Sequence, residues 1–266
     1  MSTTAIATRG LSRRYGTKTA LKELELTVEH GEIFGLLGHN GAGKTTTVTL
    51  LTTLLEPTSG TATVAGFDVS SDPRNVRANI GYLPENVRLY DNLTMRENLR
   101  FFGRLSGVIN VDHRIAETLD FLEFTGHENE RLSTFSKGMR QRVGIAQAIL
   151  HLPSVLFLDE PTSGLDPQGV KTLRETIVRM NRELGMTVFM NTHLLSEVTA
   201  WATNDEKRGH RHSLRDSQRL PGPPPTHTPG RLSRHDRGVK HHRMVDEPDR
   251  HSCLQPSSPG WPDNRT

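Results

Sequence analysis

An apolar run, Ile33-Phe34-Gly35-Leu36-Leu37, feeds directly into Gly38-His39-Asn40-Gly41-Ala42-Gly43-Lys44-Thr45, which fits the pattern G-x-x-x-x-G-K-S/T and continues into Thr46. A strand that ends in such a turn and opens a helix leaves few folds available, because the loop works only when its N–H groups converge between the two elements. The glycines let the backbone turn inward around two phosphates, Lys44 reaches the β- and γ-phosphates, and Thr45 offers its hydroxyl to Mg²⁺ at the helix N-terminus. A nucleoside triphosphate is the expected ligand. A helix is expected over residues 45–54; a purely structural glycine turn is the competing account of the pattern taken alone.

A second apolar run, Val155-Leu156-Phe157-Leu158, ends in Asp159-Glu160. It reads as a buried parallel strand delivering two acids at its C-terminal end, where open α/β sheets place their ligands. Asp159 is positioned to hold Mg²⁺ through water, and Glu160 to orient or deprotonate an attacking water. In isolation the same pair also suits a helix N-cap before Pro161. Between the two runs, Phe135-Ser136-Lys137-Gly138-Met139 opens a stretch whose apolar residues recur at helical spacing to Leu150, with Ser136 at the N-cap. The positive end of that helix is a second anion site, although an ordinary capped helix accounts equally for the spacing. A third strand-like run, Thr187-Val188-Phe189-Met190-Asn191, leads to His193, which then shares a sheet edge with Asp159 or simply caps a helix.

Taken in order, these residues resemble the nucleotide-binding subunit of an ATP-binding cassette (ABC) transporter over roughly residues 4–199. Tyr15 is similar to the family's adenine-stacking aromatic; on its own it is a surface aromatic beside Arg13 and Arg14. Residues 38–46 match the phosphate loop, Gly81-Tyr82-Leu83-Pro84-Glu85 the glutamine-loop segment, and Ser136-Lys137-Gly138-Met139 the signature motif. Leu158-Asp159-Glu160 matches the second nucleotide motif, Ser163-Gly164-Leu165-Asp166 the D-loop, and Thr192-His193 the histidine switch. Glu85 replaces the usual glutamine and Phe135-Ser136-Lys137-Gly138-Met139 the usual L-S-G-G-Q, both similar to the daunorubicin-resistance and ABC-2 exporter branch.

The resemblance implies a phosphate-loop NTPase core with a mostly parallel sheet, N-terminal antiparallel strands and an inserted helical subdomain. It also implies ATP and Mg²⁺ as cofactors, with Thr45, Glu85 and Asp159 toward the metal. Tyr15, residues 38–46, Ser136, Gly138 and Asp166 would contact the nucleotide, and Lys44, Glu160 and His193 would act in hydrolysis. Ser136 would act on nucleotide held by a second copy or a paired ABC subunit. Separate transmembrane permease subunits are the implied partners. The core is expected over residues 1–85 and 150–200 and the helical insert over 86–149, where Thr94-Met95-Arg96-Glu97 is a capping box opening a helix with Leu99, Phe102 and Leu105 on one face, and a second helix opens at Val111. A helical hairpin serving only the core fits that periodicity as well. A soluble ABC ATPase outside transport is the rival activity; a short insert and a single cassette weigh against it.

Charge divides the chain. Residues 1–200 hold 21 Lys and Arg against 22 Asp and Glu, whereas residues 201–266 hold 12 against 8, so the basic balance belongs to the tail and no nucleic-acid partner is inferred. One cysteine, Cys253, precludes an internal disulfide, and no apolar run approaches the ~18–20 residues of a membrane span. The expectation is a cytoplasmic protein, peripheral on the inner face of the cell membrane.

Residues 201–266 contain no Ile or Phe and 9 of the chain's 15 prolines. Such a segment buries too little surface to offset its ordering entropy, so a disordered tail is expected, without the strands that would complete the core sheet. Translation in a shifted frame and an evolved tail both account for it; the former would leave an inactive nucleotide-binding fragment. Metal binding by His210, His212, His241, His242 and His251 lacks compact ligand spacing.

Overall fold

The computed structural model describes residues 3–39, 41–192 and 212–216. Strands β1 (Thr4–Tyr15) and β2 (Lys18–Glu29) form an antiparallel hairpin. In β2, Leu24, Leu26 and Val28 are buried while Glu25 and Thr27 are exposed, the period of two expected of a sheet with one wet face. Strand β4 (Ser59–Val64) pairs with β1 on its other side, and β5 (Phe67–Asp68) closes the order β2-β1-β4-β5.

The second sheet is parallel throughout. Strand β3 (Ile33–Leu37), β6 (Ile80–Leu83), β7 (Val155–Asp159), β8 (Thr187–Thr192) and β9 (His212–Asp216) run in the order β6-β7-β8-β3-β9. Every residue of β7 and β8 is buried, as continuous apolar strands require when both faces are covered. Phe34, Phe157 and Phe189 stack across neighbouring strands with ring centroids 5.1 and 5.4 Å apart, which fixes the spacing of β3, β8 and β7.

Helix α1 (Lys44–Leu51) follows β3, α2 (Pro73–Asn79) precedes β6, and α6 (Pro167–Leu184) precedes β8. Three helices stand between β6 and β7: α3 (Met95–Leu105), α4 (Val111–Phe121) and α5 (Lys137–Ile149). The capping box forms as the sequence implies: Thr94 Oγ1 accepts the Glu97 N–H at 3.2 Å, and a Glu97 carboxylate oxygen accepts the Thr94 N–H at 2.8 Å. Helix α5 also presses on β6, where a Cβ on Gly81 would lie 2.3 Å from the Ala148 carbonyl oxygen; glycine alone permits that approach. No helix among the described residues is long and apolar enough to cross a membrane.

Two expectations need correction. Helix α1 stops at Leu51 rather than reaching Leu54, because the Leu54 and Leu55 N–H groups both turn back to the Thr49 carbonyl and Thr53 takes a positive φ of 60°. Leu105 is not on the buried face of α3: it is exposed, whereas Met95, Asn98, Leu99 and Gly103 are buried. Among residues 201–266 the five described ones form β9, which pairs in parallel with β3 from Ile33↔His212 to Leu37↔Asp216. A strand ladder bonds through backbone groups, so the open edge of β3 recruits a partner whose composition carries no apolar signal.

Candidate functional site

The loop after β3 is built around its last glycine. Gly43 has φ +85°, and a Cβ there would lie 2.8 Å from the Ala20 carbonyl oxygen, so both conformation and space demand glycine. Gly43 is the N-cap of α1 and caps it with no side chain, which leaves N–H groups of the first turn directed outward. The Ala42 N–H closes a turn on the His39 carbonyl at 3.2 Å. Lys44, almost fully buried, sends its ammonium to the Gly38 carbonyl at 2.5 Å and the His39 carbonyl at 3.4 Å, and it lies 3.6 Å from a Glu160 carboxylate oxygen.

Asp159 and Glu160 end β7 beside that loop. Burial raises the Asp159 pKa above the ordinary carboxylate value; the amide of Asn191 opposes this, the charges of Glu160 and Glu85 add to it, and Lys44 counters it. Tyr82, on β6, is pushed up to about 12 by burial and then by the Asp159 carboxylate. Glu160 takes a φ of 45°, rare for a residue with a side chain. Its N–H is received by Asn191 twice, at the main-chain oxygen (3.1 Å) and at Oδ1 (2.8 Å).

A cleft of about 670 Å³ opens beside the loop and Glu160, and Asp159 is not among the residues lining it. It is lined by Gly41, Gly43, Lys44, Thr45 and Thr46 of the loop and the start of α1, by Glu85 and Glu160, and by Tyr15, Lys18 and His39. Tyr15 is half exposed with the Arg13 guanidinium 4.8 Å above its ring, and it borders the cleft. Lys18 was not singled out by sequence; a cation three residues after Tyr15, on the same hairpin turn, was the available signal. Glu85 accepts a hydrogen bond from Ser163 Oγ at 3.2 Å, joining the glutamine-loop position to the segment after β7. Asn40 and His193 lie outside the described residues.

Ser136, Gly138 and Asp166 are brought together elsewhere. They border a separate cavity of about 440 Å³ with Met139, Gln141 and Leu165. Ser136 Oγ accepts the Met139 N–H at 3.3 Å as the N-cap of α5, and Asp166 accepts the Gly169 N–H at 2.9 Å as the N-cap of α6. Neither residue borders the phosphate-loop cleft of the same chain.

A parallel sheet whose strand ends carry a glycine-rich loop, a buried lysine and a pair of acids defines the phosphate-loop nucleotide-binding class. Residues 21–163 match the family model described as ABC transporter. The bacitracin transport ATP-binding protein BcrA of Bacillus licheniformis is 41% identical over 195 residues, covering 73% of this chain and 63% of that protein. The daunorubicin resistance ATP-binding protein DrrA2 of Streptomyces coeruleorubidus is 41% identical over 201 residues, covering 75% of this chain and 62% of its own length. The solved structure of cbiO1 from Clostridium perfringens, part of the ABC transporter complex cbiONQ, superposes with a TM-score of 0.69 at 27% identity, over 75% of this chain and 82% of that one. The chain belongs to the ABC transporter family. It spans about three fifths of the length of the curated relatives it matches.

Proposed function

We propose that this chain binds Mg-ATP in the phosphate-loop cleft and hydrolyses it to drive export through separate transmembrane permease subunits, from a cytoplasmic position on the inner face of the membrane. The observation that carries the reading is the convergence of Lys44 and Glu160, 3.6 Å apart, at the ends of two strands that sequence separates widely. The names of the relatives, which concern bacitracin transport and daunorubicin resistance, support an exporter.

The donors near the loop suit a magnesium ion. Thr45, Glu85 and Asp159 offer oxygen only, the donor type that a magnesium ion takes. Among the described residues no group of three or more His, Cys, Asp or Glu could hold a metal ion. Bound there, the cation would neutralise charge on the β- and γ-phosphate oxygens.

Lys44 exchanges its own loop's carbonyls for phosphate oxygens, and the N–H groups at the start of α1 face the same oxygens. Glu160 takes a proton from water as the water oxygen bonds to the γ-phosphorus; the bond from that phosphorus to the β,γ-bridging oxygen breaks, and ADP leaves with the electron pair. Tyr15 stacks on adenine, and His193 bonds the γ-phosphate. Ser136, Gly138 and Asp166, which border a different cavity from the loop, serve nucleotide held by a second copy or a paired ABC subunit.

Glu160→Gln is expected to retain ATP affinity while turnover falls by roughly 10²–10⁴. Equal hydrolysis by this variant and the parent, assayed on purified full-length protein, would remove Glu160 from its role. The shared site has its own check. A mixture of Lys44→Ala and Ser136→Arg chains should regain hydrolysis that neither shows alone, because each mixed dimer holds one complete site; no recovery in a demonstrated mixed dimer would refute the arrangement.

A further inference from the structure

The β7–β8 ladder ends at the pair Asp159↔Asn191, and Glu160 is the first residue beyond it. A residue leaving a ladder in the left-handed region at φ 45° is held there only if its surroundings over-determine it. Here the holding is concentrated in one neighbour. Asn191 is fully buried, and its main-chain oxygen and Oδ1 both accept the Glu160 N–H, at 3.1 and 2.8 Å. The other end of the amide completes no hydrogen bond. Nδ2 is buried, lacks a hydrogen bond of full geometry, and adjoins the Asp159 carboxylate. Only this orientation presents an acceptor to the Glu160 N–H and a donor toward Asp159, so the flip of the amide is fixed.

We infer that Asn191 is a positioning residue for hydrolysis: its side chain clamps the Glu160 backbone in a conformation that aims the carboxylate across to Lys44, and it does so from the neighbouring strand rather than from the loop. The inference rests on the proposed role of Glu160, and it adds a fully buried residue that does not line the cleft. A buried asparagine with one amide end unbonded is costly, and an apolar residue would fill β8 at least as well for packing alone, so the bond from the Glu160 N–H to Oδ1 is what the side chain contributes.

Asn191→Leu keeps the volume and removes the clamp, whereas Asn191→Asp keeps an acceptor oxygen for the Glu160 N–H. In the leucine variant turnover is expected to fall roughly 10-fold or more with ATP affinity within about threefold, since misplacing a base leaves ground-state binding alone. The aspartate variant should recover part of that loss. In a Glu160→Gln background, Asn191→Leu should change residual turnover by less than about twofold, because the two residues act as one unit. Unaltered turnover in Asn191→Leu, matching losses of turnover and affinity, or full additivity with Glu160→Gln would each overturn the inference.

Amide hydrogen exchange at Glu160 reads the clamp without turnover. Protection should drop by roughly 10-fold in Asn191→Leu and persist within about threefold in Asn191→Asp. Unchanged protection in the leucine variant, or lost protection in the aspartate variant, refutes the clamp. If the leucine variant does not fold, the aspartate variant still gives that reading. A parent protein that hydrolyses no ATP would sink the proposed function alone, because the exchange measurement stands apart from it.

Discussion

Helices α1 and α5 both begin beside a cleft, yet they begin in opposite ways. Gly43 starts α1 in the left-handed region with no side chain to bond the first turn, so that turn's N–H groups remain available. Ser136 starts α5 with its hydroxyl already receiving the Met139 N–H at 3.3 Å. Both ends carry the same partial positive charge, and only the first is left open by its own sequence. The buried Lys44 and Glu160 adjoin the open end, whereas Met139, Gln141 and Leu165 border the capped one. The difference teaches that a helix terminus becomes an anion site through what does not cap it. A capped end has to exchange its serine contact before it can serve a phosphate on another subunit.

Exchanging the two caps' roles gives the largest expected contrast. Gly43→Ala places a Cβ 2.8 Å from the Ala20 carbonyl oxygen at φ +85°. Strain of ~1–3 kcal/mol there should weaken ATP binding by about 10- to 100-fold. Ser136→Ala loses only an N-cap, about 0.5–2 kcal/mol of stability, and should leave equilibrium ATP binding by a single chain unchanged. Isothermal titration on the two variants decides the matter: comparable losses of affinity would mean that the two helix ends are equivalent after all.

Strand β9 offers a second way to separate the ends, because it borders the strand that feeds the phosphate loop and not the helix that carries Ser136. Removing residues 201–266 exposes the edge of β3 along the five-residue pairing from Ile33↔His212 to Leu37↔Asp216. With each net hydrogen bond contributing ~0.5–1.5 kcal/mol, the truncated protein should melt several degrees lower and bind ATP more weakly. Amide exchange in α5 should respond less than exchange in β3. A truncation that leaves melting temperature and ATP affinity unaltered would show that β9 contributes nothing to the loop.

The sequence made some of these features legible and hid others for physical reasons. The phosphate loop, the acid pair after β7 and the Thr94 capping box are local patterns in which the residues that specify the geometry are adjacent, so spacing alone reveals them. Asn191 looked like the end of an apolar run; its importance comes from pairing with Asp159 across a ladder, and single-sequence periodicity carries no register between distant strands. The bond from Ser163 to Glu85 and the place of Lys18 in the cleft are hidden similarly, one because Glu85 lies far away in the chain and the other because a lysine on a hairpin turn ordinarily faces solvent. Strand β9 is hidden because backbone pairing asks little of composition. Leu105 failed in the other direction: it has the right spacing for the buried face, but the last turn of α3 runs past the core.

The smallest effect tests the far end of α5. His151 follows that helix, and its Nε2 bonds the Ile80 carbonyl at 2.9 Å while Nδ1 is buried without a partner. Burial lowers its pKa, and the bond to Ile80 offsets this only in part. The folded protein thus keeps the ring neutral to a lower pH than the unfolded chain does. Below the ordinary histidine value of about 6.5 the unfolded state binds more protons, so this group's contribution favours unfolding increasingly as pH falls through that value toward the depressed folded one. His151→Gln retains a donor for Ile80 and does not titrate. Between pH 7.5 and 5.5 the parent should lose about 1–3 °C in melting temperature beyond what the variant loses, with ATP affinity at the phosphate loop alike in both. Parallel pH curves would show that the histidine is free to protonate in the fold, and a parent that gains stability on acidification relative to the variant would reverse the sign and mean that the ring is held charged, with the last turn of α5 bonded to β6 in a different way.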